Sequence, residues 1–430
     1  MINPFPLVTP DHIPPLDPGF RPPVLANRAF RESAREAGGP PLVIAIERND
    51  GLISRRETHI LPMDDERAAA NYVFVERLVK FLLWQWGGWK VYIGGPPELG
   101  RFVAYCYSSM GPRAFDAKLW GDQVYRKPFT VVACAPDEAP AAVSSPGSDV
   151  RLDWEGWRIG FDLGASDRKV ALLRDGALAR AEDGTPLLSE EVAWDPKPQT
   201  DPAWHREKIM DILRRAEDRM RSVDPQGKIR AIGGSSAGIY VNGTVRIASL
   251  FRGIEPRDRF EKEVAPLFHK IRKAWGDIPF RLENDGDVTA LAGSIAIGDG
   301  AVLGLAMGSS LAGGYVDDER RISGWMNELA FAPVDYNPDA PADEWSGDRG
   351  VGATYFSQQA VHRLIPAAGI EIGDIPEDNL PERLVRVQEL MADGDPRARR
   401  IYETIGRCFG YTVAHFADFY EPVRHVEVLG

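Results

Sequence analysis

The sequence predicts an α/β protein built from more than one domain, and three observations predict it. Its 430 residues, 44% of them apolar, exceed what one ordinary core organises. Short aliphatic and aromatic runs alternate with longer segments of helical period, the pattern of mixed α/β layers. Small-residue turns follow buried strands at 159–166, 232–238 and 307–314.

In chain order, residues 1–40 are rich in proline and lack periodicity, which predicts an extended arm. PLVIAIERND (41–50) predicts a strand entering a turn, and 64–87 a helix with a wide apolar face. WKVYIGG (89–95) predicts a short buried strand. Residues 96–111 predict a helix with prolines at its start, where a missing N–H costs nothing. FTVVACA (129–135) predicts another strand. Residues 41–137 thus form an N-terminal α/β unit, and 138–150 have the composition of a linker.

A second region opens near residue 151. Residues 157–180 predict a β-hairpin, 201–223 a helix, and 228–250 a strand, a Gly/Ser loop and a hairpin around Asn242-Gly243. A helix over 255–276 and a strand running into a helix over 278–298 follow. A third hairpin is predicted over 302–324, a long helix over 395–422 and a closing strand over 423–430.

Composition excludes several function classes. No run of 18 apolar residues is present, so no membrane span is expected. The N-terminus lacks a basic region followed by an apolar one, so it does not read as a secretory signal. Cys106, Cys134 and Cys408 are far apart, which fits reduced thiols in a cytoplasmic protein. The net charge of −12 argues against a nucleic-acid partner. It also repels phosphates at long range, so any phosphate site must be built locally from backbone N–H groups and a metal.

Four segments carry candidate chemistry. IGFDLGAS (159–166) sets Asp162 at a strand end before the small turn Gly164, Ala165, Ser166. Such a turn lets backbone N–H groups approach phosphate, and the acid can hold Mg²⁺ through water. An ordinary hairpin turn would read the same. MGSSLAGG (307–314) offers a similar turn at Gly308, Ser309 and Ser310. ENDGD (283–287) follows a buried strand and opens a helix. Asp287 there reads as an N-cap, whereas Asp285 could accept a hydroxyl proton while Asn284 orients a sugar. Glu328, on the otherwise apolar stretch MNELAFAP, could accept hydrogen bonds from substrate hydroxyls or lie on a surface turn.

The order of these segments resembles the actin, hexokinase and heat-shock-protein ATPase superfamily. Within it the chain most resembles the ROK (repressor, ORF, kinase) group of sugar kinases. The matching segments are DLGAS at 162–166, SSAG at 235–238, END at 283–285, MGSSLAGG at 307–314 and NELAF at 327–331. The resemblance covers roughly residues 151–430. It implies two actin-like, ribonuclease H-like lobes, 151–282 and 283–430, after the separate small N-terminal unit. The second lobe would be truncated at its C-terminal end. It also implies ATP-dependent phosphorylation of a sugar or polyol. Asp285 would be the catalytic base, Ser236, Asn284 and Glu328 would bind substrate, and Asp162 would lie near Mg²⁺. Gly164, Ala165, Ser166, Gly308, Ser309, Ser310 and Gly430 would bind ATP. A homodimer is compatible with the resemblance.

The sequence departs from the group's pattern in places. The histidine of the usual GELGH segment is Phe331. The later cysteine-rich stretch keeps its glycines and arginine, but carries Ser346 and Val351 for cysteines and Ala353 for a sugar-binding Glu. Zinc needs thiolate or imidazole ligands, so no zinc is expected. The Lys usual in the first loop is Asp167 here. Lys90–Gly95 has the strand–Gly-Gly–helix shape that contributes to the adenosine site in the group, although an unrelated α/β turn would have it too. His205, His269 and His415 read as packed or surface histidines, and Trp84, Trp86 and Trp89 as a core cluster. A second reading is a non-catalytic sugar or nucleotide sensor, and a third an acyl or carbamoyl phosphotransferase on the same fold.

Overall fold

The computed structural model describes residues 5–144 and 154–429. The end of the expected linker, from residue 145, and the expected ATP contact Gly430 lie outside them. The chain forms two compact units, Val150–Val288 and a second made of Met1–Asp149 with Thr289–Gly430.

In the larger unit, helix α1 (Pro23–Glu36) forms within the expected extended arm. Pro22 and Pro23 start the helix rather than prevent it, because the first helical N–H groups have no partner to lose. Val24, Phe30 and Ala34 recur on its buried face. Strands β1 (Pro41–Glu47) and β2 (Ile53–His59) pair antiparallel. Helix α2 (Ala70–Trp86) buries Phe74, Val75, Leu78, Leu82 and Leu83. It stops at Gly87 (φ 74°), whose N–H donates to the Leu83 carbonyl. After β3 (Lys90–Gly94), α3 (Pro97–Cys106) and α4 (Ala114–Ala117) comes β4 (Thr130–Cys134), giving the sheet order β2-β1-β3-β4.

The smaller unit contains β5 (Trp157–Leu163), β6 (Asp167–Arg174), β7 (Ala177–Leu178) and β8 (Ser189–Ala193). Helix α5 (Pro202–Val223) follows, with the Asp201 side chain capping it through Ala203 N–H. Then come β9 (Ile229–Ser236), β10 (Ile239–Val241) and β11 (Thr244–Ile247). The helix expected over 255–276 is two helices, α6 (Arg257–Glu263) and α7 (Leu267–Ala274). Pro266 separates them, since it can donate no helical hydrogen bond. Strand β12 (Phe280–Glu283) leads into α8 (Asp285–Ile297), which begins in this unit. β7 and β8 both pair with β6, and through β8 the strands lie in the order β8-β6-β5-β9-β12. β5 is antiparallel to β6 and β6 to β8, while β5, β9 and β12 run parallel. In chain order that is third, second, first, fourth, fifth, the arrangement of a ribonuclease H-like lobe. Ile159, Phe161, Ile232 and Leu282 from the sheet meet Ile209, Leu213 and Phe268 from the helices in its core.

The chain returns to the larger unit with β13 (Val302–Met307) and β14 (Leu311–Val316). Helices α9 (Gln358–Ala368), α10 (Leu380–Ala392) and α11 (Pro396–Ala417) follow, around Val361, Leu364, Val387 and Ile401. Strand β15 (His425–Leu429) pairs parallel with β13. The separate N-terminal unit expected from the sequence is part of this body. Trp84 and Gln85 carbonyls at the end of α2 accept from Glu328 and Asn327 N–H. Asp17 pairs with Arg363 at 2.8 Å, and Asp335 accepts from Arg21 N–H. The arm and α2 thus share hydrogen bonds with residues beyond 289, which sequence separation hides.

Candidate functional site

In an open sheet with parallel strands, ligands sit outside the strands' carboxyl ends. The three parallel strands of the smaller unit bring polar residues to that end in one row. Asp162 on β5 is in register with Ser235 on β9, and Ser235 with Glu283 on β12. The Ser235 hydroxyl donates to the Asp162 carboxylate. Glu283 pairs with Arg281. On the opposite face, a Cβ at Gly234 would meet the Phe161 ring at 2.1 Å. Only glycine admits that ring, which seats the β5 end against β9.

Asp285 lies two residues beyond the row, at the start of α8. Its carboxylate accepts from Gly286 N–H at 3.1 Å. Burial pushes its pKa up, and the nearby Asp162 charge raises it further. A carboxyl with a raised pKa is a stronger base once deprotonated, which suits it to take a proton from a hydroxyl.

Asn284 holds Asp285 in place. Its carbonyl oxygen caps α8 by accepting from Gly286 N–H at 2.8 Å, and its amide donates to the Gly238 carbonyl at 2.9 Å. The helix cap expected at Asp287 is therefore supplied by Asn284. Both ends of the Asn284 side chain already have protein partners, so it ties the 235–238 loop to the helix start. Gly238 has φ 138°, and a Cβ there would lie 2.5 Å from the Ile247 carbonyl.

Ser236, expected to bind substrate, is fully buried, and its hydroxyl has no hydrogen-bond partner among the described residues. Ser235 makes the contact with Asp162 instead. Adjacent strand residues face opposite ways, and the sequence gives two consecutive serines without saying which faces the acid.

The turn at Gly164, Ala165 and Ser166 is closed by Gly164 N–H donating to the Asp167 carbonyl at 2.9 Å. Ala165 and Ser166 are exposed. Trp194 steadies the turn, its indole N–H donating to the Gly164 carbonyl.

In the larger unit, Gly308, Ser309 and Ser310 form the exposed β13–β14 turn. Gly308 N–H donates to the Ser310 carbonyl, and the Gly308 carbonyl accepts from Gln358 N–H at the start of α9. Glu328 is half-buried, next to buried Asn327, whose side-chain oxygen accepts from the Tyr420 hydroxyl at 2.8 Å. Phe331, in the place of the usual histidine, packs against Trp84 and Trp345 at 4.8 and 4.9 Å between ring centres. The Ser346 hydroxyl donates to Asp343, and Val351 and Ala353 are buried.

Among the described residues, no group of three or more His, Cys, Asp or Glu could hold a metal ion. Nucleotide-bound Mg²⁺ needs only one or two carboxylates, with phosphates and water completing its shell. Asp162, expected to lie near such an ion, is close enough to Asp285 for its charge to be felt there. No helix among the described residues is long and apolar enough to cross a membrane.

No protein-family model and no curated protein matches the chain. Among solved structures it is similar to a ROK hexokinase from Thermus thermophilus, at 20% identity and a TM-score of 0.45, over 63% of this chain and 81% of that one. It is similar to a ROK-family glucokinase from Streptomyces griseus in complex with glucose and AMPPNP, at 21% identity and 0.45, over 64% and 83%. A ROK-family transcriptional regulator, a homolog of the E. coli MLC protein, aligns at 17% and 0.41, over 63% and 73%. The expected α/β class stands on the chain's own strand order, β8-β6-β5-β9-β12, which makes Val150–Val288 a ribonuclease H-like lobe.

Proposed function

We propose that the chain is a divergent ROK-type kinase that transfers the γ-phosphate of ATP to a hydroxyl of a sugar or polyol. The observation that carries this reading is the half-buried Asp285 carboxyl, raised in pKa beside Asp162, at the carboxyl end of three parallel strands. Asp285 takes the proton of the attacking hydroxyl, and Asn284 positions it through the Gly286 and Gly238 hydrogen bonds. Asp162, oriented by Ser235, would hold a nucleotide-bound Mg²⁺ through water. That ion would neutralise charge on the phosphates. The turn at 164–166 would offer backbone N–H groups to phosphate. Positioning and electrostatics supply most of the rate in such transfers.

A second reading, a non-catalytic sugar or nucleotide sensor, is favoured by one observation. Phe331 and Ala353 fill their places with apolar packing where the group has sugar contacts. ATP consumption with Mg²⁺ across hexoses, amino sugars and polyols separates the two. Turnover with one sugar that collapses in Asp285→Asn supports the kinase. Sugar or nucleotide binding without turnover on any acceptor supports the sensor.

A further inference from the structure

A polar cavity of about 210 Å³ lies in the larger unit between α1, β2 and the end of α11. Asn27, Arg31 and Arg35 recur every four residues on one face of α1 and line it. Arg56 lines it from β2, with its guanidinium 5.0 Å from the centre of the Phe419 ring. Three guanidiniums therefore converge on one small cavity in a chain of net charge −12.

The acids there do not balance them. Asp418 serves Arg31 at 2.7 Å and also Arg28 at 2.7 Å, and its backbone carbonyl accepts from Arg56 at 2.7 Å. Glu57, also on the wall, pairs with Arg55 at 2.9 Å. Glu421 reaches Arg56 only at 3.9 Å. The positive charge is thus crowded as well as unbalanced: burial lowers the Arg56 pKa, and the Arg31 charge lowers it further.

The cavity also holds an acceptor in need of a donor. Asn27 is 5% exposed, and its side-chain oxygen has no hydrogen-bond partner among the described residues. Its amide group donates to the Tyr336 hydroxyl at 3.3 Å. A buried acceptor left unpaired is costly, so the wall is complete only with a donor opposite it.

Guanidiniums bind phosphate oxygens in paired, charge-assisted hydrogen bonds. A single phosphate group has enough oxygens for three of them, and a hydroxyl on the same molecule would donate to Asn27. The volume is below that of drug-sized sites, which favours a ligand of a few carbons. We propose that this cavity binds a small hydroxylated phosphomonoester, its phosphate on Arg31, Arg35 and Arg56 and a hydroxyl on Asn27. The site is independent of whether the chain phosphorylates sugars.

The test is calorimetric titration of the full chain at low ionic strength with inorganic phosphate, glycerol 3-phosphate and acetate. Glycerol 3-phosphate is expected to bind more tightly than inorganic phosphate, and acetate more weakly than either. Arg35→Ala, at an exposed helix position, and Arg31→Ala should each weaken both phosphates about tenfold. Asn27→Ala should erase the preference for glycerol 3-phosphate while keeping phosphate binding. Thermal melts of each variant verify folding, and the exposed Arg35→Ala decides the matter alone if another variant fails to fold. Affinity unchanged in Arg35→Ala, no heat with either phosphate, or acetate binding as tightly as phosphate would overturn the proposal.

Discussion

Asp285 binds its proton more tightly in the folded chain than in an unfolded one, because burial strips water from the carboxylate and Asp162 repels its charge. The sign follows. Its contribution to stability is fully present below the ordinary carboxylate range and is lost as pH rises through the raised value. Above that value the ionised group is a local cost to the fold. Asp285→Asn is expected to keep or raise the melting temperature at pH 7 and to lower kcat about 10²- to 10⁴-fold. A variant that loses activity only because it melts would give the opposite thermal result. The two serines separate in the same way. Ser235→Ala removes the hydroxyl held by Asp162 and should lower kcat/KM about tenfold or more. Ser236→Ala removes a buried, unpartnered hydroxyl and should leave activity unchanged and keep or raise stability in urea, by up to about 1–3 kcal/mol.

Two elements depend on single polar side chains. Asn284 caps α8 and ties it to the 235–238 loop. Asn284→Ala forfeits the cap and leaves the Gly238 carbonyl to find another partner, at a cost of about 1–2 kcal/mol in urea unfolding. It should also lower kcat, since Asp285 is the next residue, and Asn284→Asp, which keeps the capping oxygen, should recover part of the stability. In the larger unit Lys80 on α2 is fully buried. It pairs with Asp116 at 2.9 Å and with Asp348 at 3.1 Å. Arg113 joins the network through Asp348 at 2.6 Å and through Glu76. Removing one partner strands a buried charge, so Lys80→Ala is expected to cost about 3–5 kcal/mol. Replacing Lys80 and Asp116 together by apolar residues should cost less, which a double-mutant cycle measures.

At the scale of the whole molecule, residues 5–144 are structural partners of the chain beyond 289. Arg21, Asp17, Trp84 and Gln85 all bond to residues between 327 and 363. Phe81 stacks on Phe419 at 3.8 Å between ring centres, and Trp84 packs on Phe331. A chain beginning at residue 145 would expose those surfaces. It is expected to aggregate or to lose cooperative unfolding of the larger unit. Val150–Val288, with its own core, should by contrast unfold cooperatively when expressed alone, as calorimetry would register.

Much was legible in the chain because some signals are local. A strand ending in Asp162 and small residues, a strand running into Asn284-Asp285, and the glycine turn at 308 each sit within about ten residues. The backbone limits of glycine and the period of apolar residues fix such pieces without reference to the rest. Proline misleads in two opposite ways: it reads as a breaker in residues 1–40, where one at the first helical position starts α1, and Pro266, expected inside a single helix, divides α6 from α7. What only the tertiary structure decided were pairings across distance. The β5–β9–β12 register chose Ser235 over Ser236, since one residue of slip exchanges the two faces of a strand. Packing against residues beyond 289 made the N-terminal segment part of the larger unit. The convergence of α1, β2 and Asp418 built a basic cavity from arginines up to 387 residues apart from their acid. No local rule encodes such contacts, because they form only when the chain's burial of apolar surface brings distant segments together.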